Sequence, residues 1–249
     1  MKKIFKNWIV RVALVLILAS VVSYTLHYFI FHDAHHIFIY MIGDFGFLFL
    51  DVLLVLLIIE RLLSSKEKKS ILHKLNMVIG TFFSEVGREL LRHFSDFVIN
   101  AEELEGECLI CPEWDKKNFR EAREKAEAFE YKMMFDVKKM EELRDFLSSK
   151  HSFLVRLLEN PILLEHERFT DLLWAVFHLS EELNFRESLQ GLSDTDIAHL
   201  KIDLRRAYSK IVSEWIAYTE HLKKAYPFLF SLAARINPLN PKASPIVQE

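Results

Sequence analysis

The chain has 249 residues, with 32 Lys and Arg against 35 Asp and Glu, a formal net charge of −3. That balance offers no basic excess for a nucleic-acid backbone, so nucleic acid is excluded as a partner. Six Gly and six Pro leave too little turn material for an all-β fold, and long stretches at helical period point to an all-α one.

Two apolar runs come first. Residues 8–31 read WIVRVALVLILASVVSYTLHYFIF, interrupted by Arg11 alone, and residues 37–59 read IFIYMIGDFGFLFLDVLLVLLII. Each reaches the ~20 residues that a helix rising ~1.5 Å per residue needs to cross ~30 Å of hydrocarbon. The sequence therefore predicts a multi-pass protein of the cytoplasmic (inner) membrane, its hairpin over 1–63 with spans at about 8–31 and 37–60. A cleaved signal peptide fits poorly, because residues 19–23 are a weak match to a small-residue cleavage site.

Orientation follows from basic residues. Lys2, Lys3, Lys6 and Arg11 precede or open the first span, and Arg61, Lys66, Lys68, Lys69 and Lys74 follow the second. The turn at 32–36 has none. Both termini should thus be cytoplasmic and the turn outside.

Asp44 and Asp51 stand inside the second apolar run. Seven residues is within ~20° of two whole helical turns, so both carboxyls share a face ~10 Å apart. An Asp at bilayer depth costs ~2.5–3.5 kcal/mol on insertion scales and normally faces protein or water. They are either polar contacts that specify assembly or the lining of a cation or proton pathway. A two-helix hairpin cannot enclose a pore, so the pathway needs several subunits.

The turn itself holds His32, His35 and His36, with His27 and Asp33 close by. These are ligand types for zinc or copper, and a bis-His haem through His27 and His36 is conceivable. Spacings of one and three in a turn do not aim ligands at one point, however, and imidazole is an ordinary headgroup-level group.

Residues 64–249 are of another kind. With five Lys/Arg and four Asp/Glu in the hairpin, 27 basic and 31 acidic residues remain there. This predicts a cytosolic all-helical domain over 64–236 with one core. An amphipathic helix over 65–103, continuous with the second span, carries Ile71, Leu75, Val78, Phe82, Val86, Leu90, Phe94 and Phe97 on one stripe. Gly80 and Gly87 lie on one face, where they permit close helix approach. The width of the stripe points to a homo-oligomer.

A break follows at 106–112, which contains Cys108 and Cys111. C-x-x-C is half of a zinc site or a redox pair, but the other half is missing, and two small thiols in an apolar turn are the plainer reading. Helices are expected over 113–131 and 136–149, as two elements or one bent rod. A short one at 151–159 ends before Pro161. The next covers 169–187, capped by Thr170 or Asp171. Gly191 and Ser193 mark a stop and a new start. The last long helix runs to Tyr226, followed by a turn or two over 228–236. Residues 237–249, rich in Pro, read as a disordered tail.

His166, His178 and Glu182, among other carboxylates of LLENPILLEHERFTDLLWAVFHLSEEL, are a third set of candidate metal ligands. Asp171, His178 and Glu182 share a stripe, and the next helix carries Asp196-x-x-His199 and His199-x-x-x-Asp203. Di-iron bundles instead use Glu-x-x-His on two helices. The order is reversed here at His178-x-x-Glu181, so no cofactor is predicted and a metal ion is the alternative.

FLFLDVLLVLLIIERLL, LLENPILLEHERFTDLLWAVFHLSEEL and YPFLFSLAARINP together resemble an uncharacterised group of prokaryotic two-span membrane proteins with a cytosolic helical domain. The likeness covers most of the chain and implies no activity. With no phosphate-binding or nucleophile-elbow motif present, the sequence favours a membrane-tethered scaffold or sensor over an enzyme. A cation- or proton-conducting assembly through Asp44 and Asp51 is the second reading, and a metal-dependent helical-bundle enzyme the third.

Overall fold

A computed structural model of the chain describes residues 2–101, 103, 110–240 and 242–246. The fold is all-α: among the described residues the only β feature is one isolated antiparallel bridge, Val98 to Met133. The chain forms two compact units, residues 1–67 and 68–249.

The first unit is a helical hairpin. Helix α1 covers Lys2–Phe31, and α2 covers Ala34–Phe82, so α2 passes from the first unit into the second. The turn between them is short because His32 takes a left-handed conformation, φ 51°. Its N–H donates to the Tyr28 carbonyl at 2.8 Å, closing the end of α1. Asp33 then caps α2: its Oδ1 accepts from the backbone N–H groups of His35 and His36 at 2.9 and 3.2 Å. The bond from His36 is the main cause that holds the Asp33 carboxyl below its ordinary range. From Val10 to Leu63, every side chain except His27 and Ile37 is exposed. By length and composition both helices can cross a membrane.

The second unit is a helical bundle, as the pattern predicted. After Phe82 the helix makes one π turn, Phe83–Gly87, before α3, Arg88–Ser95. The extra residue lets consecutive Phe82 and Phe83 both be buried. The Phe83 carbonyl, displaced from the α ladder, accepts from the Arg88 backbone N–H and from Arg88 Nε. A Cβ on Gly87 would lie 2.5 Å from the Phe83 ring and 2.8 Å from the Phe82 ring; one on Gly80 would lie 3.1 Å from the Tyr218 hydroxyl. Both glycines therefore sit at close approaches.

The amphipathic helix ends at Ser95, short of the predicted 103. Backbone groups beyond it pair with a distant segment: Ile99 N–H donates to Lys132, and Met134 N–H to Phe97. Buried Asn100 stitches the same two segments through Glu130 and Lys132. Helix α4, Lys116–Ala128, starts with a reciprocal capping box between Asp115 and Asn118. The extended stretch after it separates α4 from α5, so no bent rod forms. Helix α5, Val137–Leu158, merges the two elements expected at 136–149 and 151–159, since Lys150 and His151 carry no stop signal. It ends before Pro161, as proline demands. Helices α6, Glu167–Asn184, α7, Asp194–Ala225, and α8, Pro227–Arg235, complete the bundle.

Helix α7 is the centre of the core. Leu200, Leu204, Ala207, Ile211, Trp215, Thr219 and Leu222 are buried at three- and four-residue spacings, and α6, α4, α8 and α3 pack around them. The expected disorder of the tail does not hold at its start. Trp215 Nε1 donates to Asn237 Oδ1 at 2.9 Å, and Asn237 and Leu239 are buried. A buried indole needs an acceptor, and this one draws the chain back onto the bundle. Ser244 N–H likewise donates to the Arg235 carbonyl.

Candidate functional site

The polar groups of the bundle concentrate on the seam between α6 and α7. The phase of α6 is set by His166, whose Nδ1 accepts the Phe169 backbone N–H at 3.1 Å. That cap replaces the expected Thr170 or Asp171. Thr170 instead donates to the Leu163 carbonyl, and Asp171 accepts from Lys210. With this phase Phe169, Leu172, Val176, Leu179 and Leu183 enter the core, and His178 and Glu182 stand at its margin. Ser193 caps α7 by accepting from Asp196 N–H, as the sequence indicated. Leu200 and Leu204 then point inward, His199 lies at the margin, and Asp203 is buried at 2% exposure.

Here the two helices meet. His178 Nε2 and His199 Nε2 each stand 3.3 Å from Asp203 Oδ2. Glu182 presents Oε1 to His178 at 3.9 Å and Oε2 to His199 at 3.6 Å. Because 178 meets 203 and 182 meets 199, the helices run antiparallel at this point. Both imidazoles are 48% exposed, so solvent reaches one side of the cluster.

Two arginines hold its edge. Arg206 Nη1 donates to Asp203 Oδ1 at 2.7 Å. Arg186 donates to Glu182 Oε2 at 2.7 Å and, through Nη2, to Asp196 Oδ1 at 2.6 Å. The hydrogen bond from Arg186 is the leading cause that keeps the carboxyls of Glu182 and Asp196 below their ordinary range. The same carboxylates raise the Arg186 guanidinium, with Asp196 contributing most.

A second polar region, a cleft of ≈ 480 Å³, lies between Glu127, Arg168, Arg206, Ser209, Lys210, Ser213 and Glu214. Burial pushes the Glu214 carboxyl up, against the pull of His166 and of Arg168, which pairs with it at 3.3 Å. Arg168 also pairs with Glu127 and donates to Ser213 Oγ, whose hydroxyl donates to Glu127. This cleft is a cross-link of α4, α6 and α7 in which each charge already has a partner.

The sequence-predicted residues are thus divided. His178 and Glu182 come together. His166 caps α6, twelve residues or ~18 Å of helix from His178. His32, His35 and His36 surround the hairpin turn, where the rings of His27 and His36 are 6.1 Å apart and His36 stacks on Tyr40. Among the described residues, the one group of three or more convergent metal-donor side chains is His178, Glu182 and His199. Cys108 lies outside the described residues, and Cys111 is half-buried. Asp44 and Asp51 are exposed on α2.

A Glu-x-x-His spacing does not gather His199 and Asp203 into one ligand set with His178 and Glu182. The spacing that does is His-x-x-x-carboxylate, present once on each helix as His178 with Glu182 and His199 with Asp203.

Two family models match the chain. The N-terminal helical domain of MJ1433 covers residues 2–63, and the C-terminal helical domain of the uncharacterised protein MJ1433 covers 71–235. The uncharacterised protein MJ1433 of Methanocaldococcus jannaschii is 41% identical over 246 residues, 98% of each chain. No solved structure matches.

Proposed function

The chain belongs to the MJ1433 family of helical proteins, and we propose that it is a membrane-tethered helical scaffold or sensor rather than an enzyme. Its hairpin anchors it in the cytoplasmic membrane with both termini on the cytoplasmic side. Its helical domain is the cytosolic working part. The observation that carries this reading is the exposure of nearly all apolar side chains from Val10 to Leu63. A monomeric soluble protein seldom shows a contiguous apolar patch beyond ~300–600 Å², whereas lipid tails accept such a surface on all sides.

Asp44 and Asp51 support an assembled hairpin. Among the described residues neither has a hydrogen-bond or ion-pair partner within the chain. Two carboxyls on one face of a lipid-immersed helix need such partners, and a second copy of the hairpin supplies them. The same face is what a conducting assembly would line with acids, and that is the second reading.

The test is an alkaline carbonate wash of isolated membranes followed by flotation. The full chain should stay with the floating lipid. Release into the supernatant would remove the anchor from the account. Proton or cation flux into liposomes, abolished by Asp44→Asn or Asp51→Asn with the oligomer intact, would promote the conducting reading over the tether.

A further inference from the structure

The seam between α6 and α7 carries one motif twice. His178-x-x-x-Glu182 and His199-x-x-x-Asp203 each set an imidazole and a carboxylate one turn apart on one face. The antiparallel crossing joins the two pairs into a closed ring of donor atoms: His178 Nε2, Asp203 Oδ2, His199 Nε2 and the Glu182 carboxylate. Its edges are 3.3, 3.3, 3.6 and 3.9 Å in that order.

Ion pairing among the side chains does not account for this ring. A protonated imidazole bonds a carboxylate at ~2.7–2.9 Å. Here two imidazole nitrogens stand off at 3.3 Å from the same oxygen, and two imidazoliums aimed at one atom would repel each other. Asp203 Oδ2 is buried and has no hydrogen-bond partner among the described residues. Leaving such an oxygen unpaired costs ~1–3 kcal/mol, and more when it is charged.

We propose that His178, Glu182, His199 and Asp203 bind a divalent transition-metal ion of the zinc class. Donors ~2.0–2.2 Å from a four-coordinate ion stand ~3.3–3.6 Å apart, a spacing met at three of the four ring edges. His178, Glu182 and His199 already converge within 4.8 Å of one another, and Asp203 and Glu182 would close toward each other around the ion. Two imidazoles with carboxylates suit zinc-class ions over calcium or magnesium, which take oxygen ligands. The supporting shell is in place. Arg206 holds Asp203 Oδ1, which turns Oδ2 toward the ring, and Arg186 Nη1 donates to Glu182 Oε2, fixing the carboxylate that faces both imidazoles. A bound ion would tie α6 to α7 across the seam. This inference goes beyond the tether reading and does not depend on the hairpin.

The test uses the full chain, purified in detergent, stripped with chelator and freed of any affinity tag. Cobalt(II) alone is titrated and followed by its visible absorption, then displaced with zinc(II). One cobalt per chain should bind with the intense bands of a four-coordinate ion, and one zinc should remove them. His178→Gln and His199→Gln, at half-exposed positions, should each weaken binding by more than the roughly 10–100-fold that an outer-shell change costs. Arg206→Met should fall within that 10–100-fold range. Circular dichroism of the two His variants should match the parent, which separates ligand loss from unfolding. His35→Ala with His36→Ala should leave binding unchanged. Absence of four-coordinate bands, or binding that survives His178→Gln with His199→Gln, would overturn the proposal. So would binding lost only in the His35 and His36 variant.

Discussion

Helices α1 and α7 are almost equally long, 30 and 32 residues, and they meet opposite fates. From Val12 onward α1 is apolar on every side, and none of its described side chains is buried. α7 is much richer in charge, yet Leu200, Leu204, Ala207, Ile211 and Trp215 disappear into the core. Amount of hydrophobicity and pattern of hydrophobicity are therefore separate instructions. A helix apolar on all sides asks for apolar surroundings, protein or lipid, and a helix apolar on one stripe asks for partner helices on that stripe. The two units of this chain are one of each.

The comparison breaks most visibly if the units are separated. Residues 68–249 alone should be monodisperse without detergent and unfold cooperatively, while the full chain should need detergent to stay in solution. Aggregation of the truncated form, seen by size-exclusion chromatography, would mean that the hairpin covers part of the bundle core.

Single core truncations come next. Trp215→Ala should cost the bundle ~3–5 kcal/mol in denaturant unfolding, because it leaves a cavity and removes the indole's bond to Asn237. Leu16→Ala and Leu54→Ala in the hairpin remove comparable apolar groups and should leave that unfolding curve unchanged. Gly87→Ala should cost ~1–3 kcal/mol, since the new methyl meets two buried Phe rings.

Those distinctions were partly legible in the chain. The hairpin, the stop before Pro161 and the start at Ser193 each have a local cause, and a local cause can be read in sequence. The end of α3 at Ser95 has none, because its partner strand segment lies some thirty residues away. The cap by His166 is not legible in the sequence, because histidine is not among the usual capping residues. At the seam, His178 and Glu182 were visible as neighbours on one helix. Their convergence with His199 and Asp203 depends on the register of two antiparallel helices, which packing sets.

Smaller effects sharpen the contrast from the polar side. Arg186→Met should destabilise the bundle by ~1–2 kcal/mol at neutral pH through loss of its bonds to Glu182 and Asp196. Both carboxyls are held below their ordinary range, so their contribution is present above the unfolded-state values near ~4. It is lost as pH falls through the lower folded values. Thermal melts of the parent and the variant should therefore converge on acidification. In the hairpin, Asp44→Asn with Asp51→Asn should assemble like the parent, and the double Leu variant should dissociate earlier on dilution in detergent. Interhelical bonds of ~0.6–2 kcal/mol set the size of that shift, the smallest expected here.

The proposed crossing of the membrane by the hairpin is tested most directly with one engineered thiol. In a chain with Cys108→Ser and Cys111→Ser, Ala34→Cys places a single thiol at the first residue of α2, next to the turn. A membrane-impermeant maleimide added to intact cells should label it fully, with no further labelling after lysis. Labelling that appears only after lysis would put the turn inside and contradict a two-span anchor with both termini in the cytoplasm.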